Sequence, residues 1–144
     1  MVATAHMLGP GSLKLGETAS QREIAAQLTK FSLEPKSDFE DDVPVLSGET
    51  VPGDASTDWS IKGTANQDFD KESIEMYCYQ HRLQDVPFLF TPSNDHDVSW
   101  SGVCTVVPLT VGGDVKKKNT SDFEFRVIGE PTPVDSTGTP LELS

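Results

Sequence analysis

Residues 98–129 constrain the fold more than any other part of the chain. Trp100, Gly102, Cys104 and Val106 alternate there with Ser99, Ser101, Val103, Thr105 and Val107. A β-branched run of period two puts each set on one face of a strand, whereas a helix would scatter both around its axis. Val103 and Val107 make the second face partly apolar as well, as in a mostly buried central strand. After Pro108 and a Gly112-Gly113-Asp114 turn, Phe123, Phe125 and Val127 alternate with Asp122, Glu124 and Arg126. That pattern predicts a strand with one packed face and one wet face. The connection between the two runs carries Lys116, Lys117 and Lys118, the one run of positive charge in the chain.

The 144 residues form one domain, long enough to bury about 68–70% of the surface of the unfolded chain. Hydrophobic content is low at 35%, and eleven glycines with ten prolines punctuate the sequence. Both features favour a mainly β protein with long connections over a helical bundle. Twenty-three acidic against eleven basic side chains give a formal charge of -12, which argues against a surface that grips nucleic-acid phosphates. Cys78 and Cys104 lie inside apolar patterns without CxxC spacing, so free buried thiols are expected. Neither an export signal nor a membrane span is expected, because the start lacks a basic and an apolar region and no apolar run approaches the required length.

Residues 1–10 read as an N-terminal arm, and Leu13 and Leu15 share one face of a short strand between Gly11 and Gly16. Ile24, Ala26 and Leu28 fall on even positions and Phe31 and Leu33 on odd ones, a phase switch that predicts a strand with a bulge or bend. A helix over 21–30 is the rival reading, with only Ile24 and Leu28 as its apolar stripe. Residues 35–58 hold prolines, glycines and clustered acids without periodicity, and are expected to form a long loop. Its length calls for a function, and its embedded Val43, Val45 and Leu46 suggest a docking segment. Trp59, Ile61 and Gly63 return to strand. Asp70 is the expected cap of a helix over about 70–82, with Ile74, Tyr77, Cys78 and His81 on one face. Residues 86–91 form a strand placed at an edge or strand start by Pro87, and residues 130–144 read as a polar, mobile tail.

Several phrases stand in a recognisable order: Gly9-Pro10-Gly11, Gly16-Glu17-Thr18, Glu40-Asp41-Asp42-Val43-Pro44-Val45-Leu46-Ser47-Gly48-Glu49, the stretch from Pro87 to Pro92, Pro108-Leu109-Thr110-Val111-Gly112-Gly113-Asp114-Val115, and Thr120-Ser121-Asp122-Phe123-Glu124. Together they resemble the major tail (tail tube) proteins of long-tailed, siphovirus-type bacteriophages over residues 8–133. The resemblance implies a β-sandwich or barrel of two packed sheets with one flanking helix over residues 11–129. It also implies a structural, non-enzymatic virion protein whose hexameric rings stack into a hollow tube through which the genome leaves. Tape measure, tail terminator and distal tail proteins are the partners it implies besides self, with assembly in the host cytoplasm and residence in the virion tail. The long loop of that family meets neighbouring subunits. Many relatives carry an immunoglobulin-like C-terminal extension, and none is expected after Gly129 here.

Glu40, Asp41, Asp42, Val43, Val45, Leu46, Lys116, Lys117 and Lys118 are therefore candidates for subunit interfaces. Glu23, Gln27, Asp122 and Glu124 are candidates for a polar face lining the bore, past which DNA would move without specific binding. No cofactor or metal is expected: GxSxG, HExxH, Walker and GxGxxG patterns are missing. Asp95-His96-Asp97 is better read as a solvated turn than as a ligand set, and Asp38 to Asp42 lack the remaining positions of a calcium loop. His81, Trp59 and Trp100 are read as packing residues, and the Asn119-Thr120-Ser121 sequon as coincidental. The competing reading is a secreted or surface β-sandwich binding module of carbohydrate-binding type, which would need exposed aromatics and an export route.

Overall fold

A computed structural model describes residues 5–17 and 21–143. The first part of the expected N-terminal arm, Thr18 of the Gly16-Glu17-Thr18 phrase and the last residue of the tail lie outside the described residues. The elements in chain order are β1 (Ser12–Leu15), β2 (Arg22–Glu23), a 3-10 turn (Ala25–Gln27), β3 (Leu28–Phe39), β4 (Val43–Pro44), β5 (Thr50–Val51), β6 (Ala55–Asn66), α1 (Ile74–Gln80), β7 (Asp85–Thr91), β8 (Ser99–Thr105) and β9 (Thr120–Val134). The protein is mainly β with one helix. Seven strands form one antiparallel sheet in the order β2-β1-β7-β8-β9-β6-β3, and β4 pairs with β5 apart from it.

The two packed layers expected from the sequence are two halves of that one sheet. Thr120 to Arg126 of β9 pairs with β6, and Arg126 to Val134 pairs with β8. The change of partner comes with a register shift on β8 between Ser101 and Val103 and a positive φ at Gly129, the kind of irregularity by which a strand passes from one layer to the other. Phe31 on β3 and Phe90 on β7 stand four strand steps apart in the order, about 19 Å in a flat sheet. Their rings nevertheless meet at 4.4 Å, so the sheet is folded over on itself. Between the layers lie Leu13, Leu15, Ile61, Phe88, Cys104, Val106, Phe123, Phe125 and Val127, closed at one end by Ile74, Tyr77 and Cys78 of α1. Gly63 permits this packing, since a Cβ there would stand 2.6 Å from the Phe123 ring and 2.8 Å from the Lys30 carbonyl.

The phase switch near Leu28 is a bulge, with the register against β6 slipping between Leu28 and Lys30. The segment before it turns as 3-10 rather than continuing as strand. The helix is shorter than expected because Ser73, not Asp70, caps it: Ser73 Oγ accepts from the Met76 N–H at 3.4 Å. Its far end is fixed by His81, which stacks on Tyr77 at 4.5 Å and is half-buried rather than fully in the core.

Two boundaries change. Residues 35–58 are not an irregular loop: β3 and β6 stay paired from Leu28↔Ala65 to Phe39↔Ala55. Beyond that, Glu40 N–H donates to the Asp54 carbonyl at 2.7 Å, Gly53 N–H to Asp42 Oδ1 at 2.8 Å, and the β4–β5 ladder follows. The result is a projecting two-stranded arm. Its strands face water on both sides, so no apolar alternation marks them in the sequence. The expected C-terminal tail begins inside β9, whose residues to Val134 pair with β8. The chain then folds back, with Leu141 N–H donating to the Pro133 carbonyl at 3.0 Å.

Candidate assembly surfaces

The arm concentrates negative charge and exposed apolar side chains. Asp38, Glu40, Asp41, Asp42, Glu49 and Asp54 lie between Ser37 and Thr57 with no basic residue among them. A turn closes the tip, in which Val45 N–H donates to the Glu49 carbonyl and Gly48 adopts φ +91. Leu46 on this turn is fully exposed at 106%, and Phe39, Val43 and Val45 are exposed along the arm. All six arm residues expected at an interface therefore project together from one end of the molecule.

The three lysines occupy the opposite end. β6 runs from the arm at Ala55 to Asn66, which pairs with Thr120 just after the lysine loop, a span of about 36 Å. Gln67 fixes that loop. Its Nε2 donates to the Gly112 carbonyl at 2.9 Å and to Ser121 Oγ at 3.1 Å, and its Oε1 accepts from the Gly112 N–H at 2.9 Å. Asn119 closes the turn, accepting from the Asp114 N–H and donating to the Asp114 carbonyl, so the sequon asparagine is engaged in backbone contacts. Lys117 lies 3.9 Å from Asp114, while Val111 and Val115 are exposed beside the lysines. At the same end, the two layers of the folded sheet leave an open cleft of about 400 Å³, lined mainly by Leu8, Leu13, Ala25, Leu28, Phe31 and Phe90, with Lys30 among its residues.

The four residues expected on a bore-lining face are not brought together. Asp122 and Glu124 lie on the wet face of β9: Thr64 Oγ1 donates to Asp122 at 2.7 Å, and Lys62 stands 4.0 Å from Glu124 and 3.8 Å from Glu34. Glu23 instead accepts from the Leu13 and Ala25 N–H groups at 3.0 Å. Gln27 binds α1 to the sheet, donating to Glu75 Oε1 and the Asn66 carbonyl at 2.7 Å and accepting from Ile74 N–H at 3.0 Å. Backbone groups at a strand end and a helix start claimed these side chains. The wet face is also balanced rather than acidic: Lys30, Lys62 and Arg126 share it with Glu34, Asp122 and Glu124. The bonds of Gln67, and those of Gln27 that differ from its expected place on the bore, left no trace in the sequence, since an isolated glutamine in a polar segment looks like any solvated residue.

Asp97 of the Asp95-His96-Asp97 turn accepts from the Ser136 N–H at 2.7 Å, and His96 stacks on His6 at 4.4 Å. Among the described residues no three His, Cys, Asp or Glu side chains are grouped to hold a metal ion. Cys78 and Cys104 are free and buried, as expected. Burial, followed by the charge of Cys104, pushes the Cys78 thiol up to about 12, and burial followed by Asp85 does the same to Cys104. Trp59 and Trp100 approach to 6.3 Å and are half-buried, and the Trp59 indole N–H has no acceptor among the described residues. Among the described residues no helix is long and apolar enough to cross a membrane.

This fold aligns with chains of gene transfer agent particles. A chain in the virion of a native gene transfer agent particle aligns with a TM-score of 0.55 and 14% identity, covering 85% of this chain and 95% of that one. A chain in the tail of an empty gene transfer agent particle, refined helically with C6 symmetry, aligns with a TM-score of 0.58 and 15% identity, covering 85% and 93%. The tail tube fold that the sequence phrases imply is thus the fold observed. No protein-family model and no curated protein sequence matches the chain.

Proposed function

We propose that this chain is the subunit of a phage-type tail tube, self-associating in rings of six that stack into a hollow conduit for DNA within the virion tail. The observation that carries the reading is the placement of complementary surfaces at opposite ends of one strand pair. The acidic arm with Leu46 and its neighbours stands at one end, and Lys116 to Lys118, Val111, Val115 and the apolar cleft stand at the other. Surfaces about 36 Å apart along β6 cannot meet within one molecule. Joining the arm of one copy to the lysine end of the next is a heterologous contact, and repeating it builds an open stack rather than a closed dimer. Six-fold symmetry is a property of the gene transfer agent tail whose chain shares this fold, and it is assigned here by that likeness.

In this reading Glu40, Asp41 and Asp42 meet Lys116, Lys117 and Lys118 of the next ring, and Leu46 seats in its cleft. The balanced wet face of β3, β6 and β9 is assigned to the bore, where interleaved charges give phosphates no continuous cationic strip to adhere to. Tape measure protein would occupy the bore, and terminator and distal tail proteins would meet the two ends. Negative-stain microscopy of concentrated protein tests the reading: wild type forms rings and filaments, and small single particles at all concentrations would refute it.

A further inference from the structure

The sheet splits where β9 leaves β6. The β6–β9 ladder ends at Ser60↔Arg126, yet both strands continue. Among the described residues, Ala55 to Trp59 of β6 pairs with β3 alone, and Val127, Ile128 and Thr132 of β9 pair only with β8, with Gly129 to Pro131 bulging between them. Two strand edges, each lacking a neighbour on the side facing the other, therefore flank one open cleft of about 770 Å³. An added strand occupies about 3.3 Å by 4.8 Å by 10 Å per residue, so five residues fill about 800 Å³. Phe39, Thr57 and Trp59 line one wall, and Val127, Ile128 and Gly129 the other. Phe39 and Ile128 are exposed, and Trp59 holds the indole N–H that lacks an acceptor among the described residues.

We infer that this slot receives residues 1–8 of a second copy as an added β-strand. The inference rests on the head-to-tail reading above. Unpaired backbone edges select an extended segment by main-chain hydrogen bonds, the physics of strand addition. Charge selects which segment: Asp58 and Glu130 against the single Arg126 make the slot acidic, and the arm rising from it adds six acids. Residues 1–8 carry no acid and hold one histidine, His6. Met7 and Leu8 are exposed there. Placement agrees as well. Leu8 to Pro10 border the apolar cleft at the lysine end, whereas the slot lies at the base of the arm, so the next copy in the stack brings one to the other. Each junction then becomes reciprocal, the arm of one copy reaching forward and the N-terminal segment of its neighbour reaching back.

The test combines cross-linking with peptide binding. Ala5→Cys and Thr57→Cys together give a ladder of disulfide-linked oligomers under mild oxidation of filaments, while either change alone gives monomer; the buried native thiols take no part. Filaments of the double variant that yield no ladder overturn the slot and leave the head-to-tail reading intact. If filaments do not form at all, the reading fails, and the slot is decided on the monomer. A peptide MVATAHML added to full-length protein changes tryptophan fluorescence saturably, and this response is lost with a peptide N-methylated at alternate residues and with Trp59→Phe. Absence of a saturable response up to millimolar peptide overturns the inference.

Discussion

Gln67 ties the lysine loop to the sheet through one side chain, accepting from the Gly112 N–H and donating to the Gly112 carbonyl and to Ser121. Gln67→Ala leaves the half-buried Gly112 N–H and carbonyl without these bonds, while Ser121 keeps its bond to the Thr110 carbonyl, a loss of about 1–3 kcal/mol. Denaturant unfolding will show that loss with an unchanged slope, and protease will cut the loop at Lys116 to Lys118 faster than in wild type. Cys78 and Cys104 make the second test at this scale. Their thiols are raised from 9 to about 12 in the folded chain. The unfolded chain then holds fewer protons between about pH 9 and 12, so the stability these groups supply is complete below pH 9 and is lost as pH rises through that window. A thiol reagent at pH 8 will find no reactive cysteine in the folded protein and two in denaturant. The buried apolar residues and both cysteines were legible in the sequence because burial imposes a period. The glutamines were not, because their role depends on backbone groups distant in the chain.

Among the elements, the arm separates folding from assembly. Nearly every side chain from Lys36 to Pro52 is exposed, so the core contributes nothing to its ordering and receives nothing from it. Replacing residues 41–53 by an Asn-Gly turn, which closes a two-residue hairpin on the hydrogen-bonded Glu40 and Asp54, will keep the unfolding free energy within about 0.5 kcal/mol of wild type, the range for surface changes, while abolishing filaments. Leu46→Asp will weaken filaments in the same way without touching the monomer. Limited proteolysis of the monomer will cut at the 45–49 turn and spare the paired legs. The strands that pack, β1 and β6 to β9, were readable from their alternation. The arm was not, since a ladder wet on both faces writes no period; nor was the fold-over at β9, where Gly129 could equally have ended the strand.

For the whole molecule the decisive quantity is the polarity of charge along the strands rather than the total of -12. Single exposed ion pairs contribute about 0–1 kcal/mol each, so one junction gains little, but every subunit of a ring makes the contact at once and the terms act together. Head-to-tail contact makes a prediction that other arrangements do not. A chain with Glu40, Asp41 and Asp42 changed to lysine is basic at the arm's contact positions and in the loop, although the arm keeps Asp38, Glu49 and Asp54. A chain with Lys116, Lys117 and Lys118 changed to glutamate has an acidic arm and an acidic loop. Each alone opposes like charges at every junction and will stay unassembled at low salt. Mixed in equal amounts they will form filaments, because every arm then finds a loop of opposite sign on the other variant, and a chain carrying both sets of changes will polymerise alone. Raising salt toward 1 M, where the Debye length falls to about 3 Å, will narrow the difference between wild type and each single-set variant. Filaments from either single-set variant at low salt, matching wild type in yield, would show that the lysine loop and the arm do not meet; filaments from the mixture alone would fix both the partners and the direction of the stack.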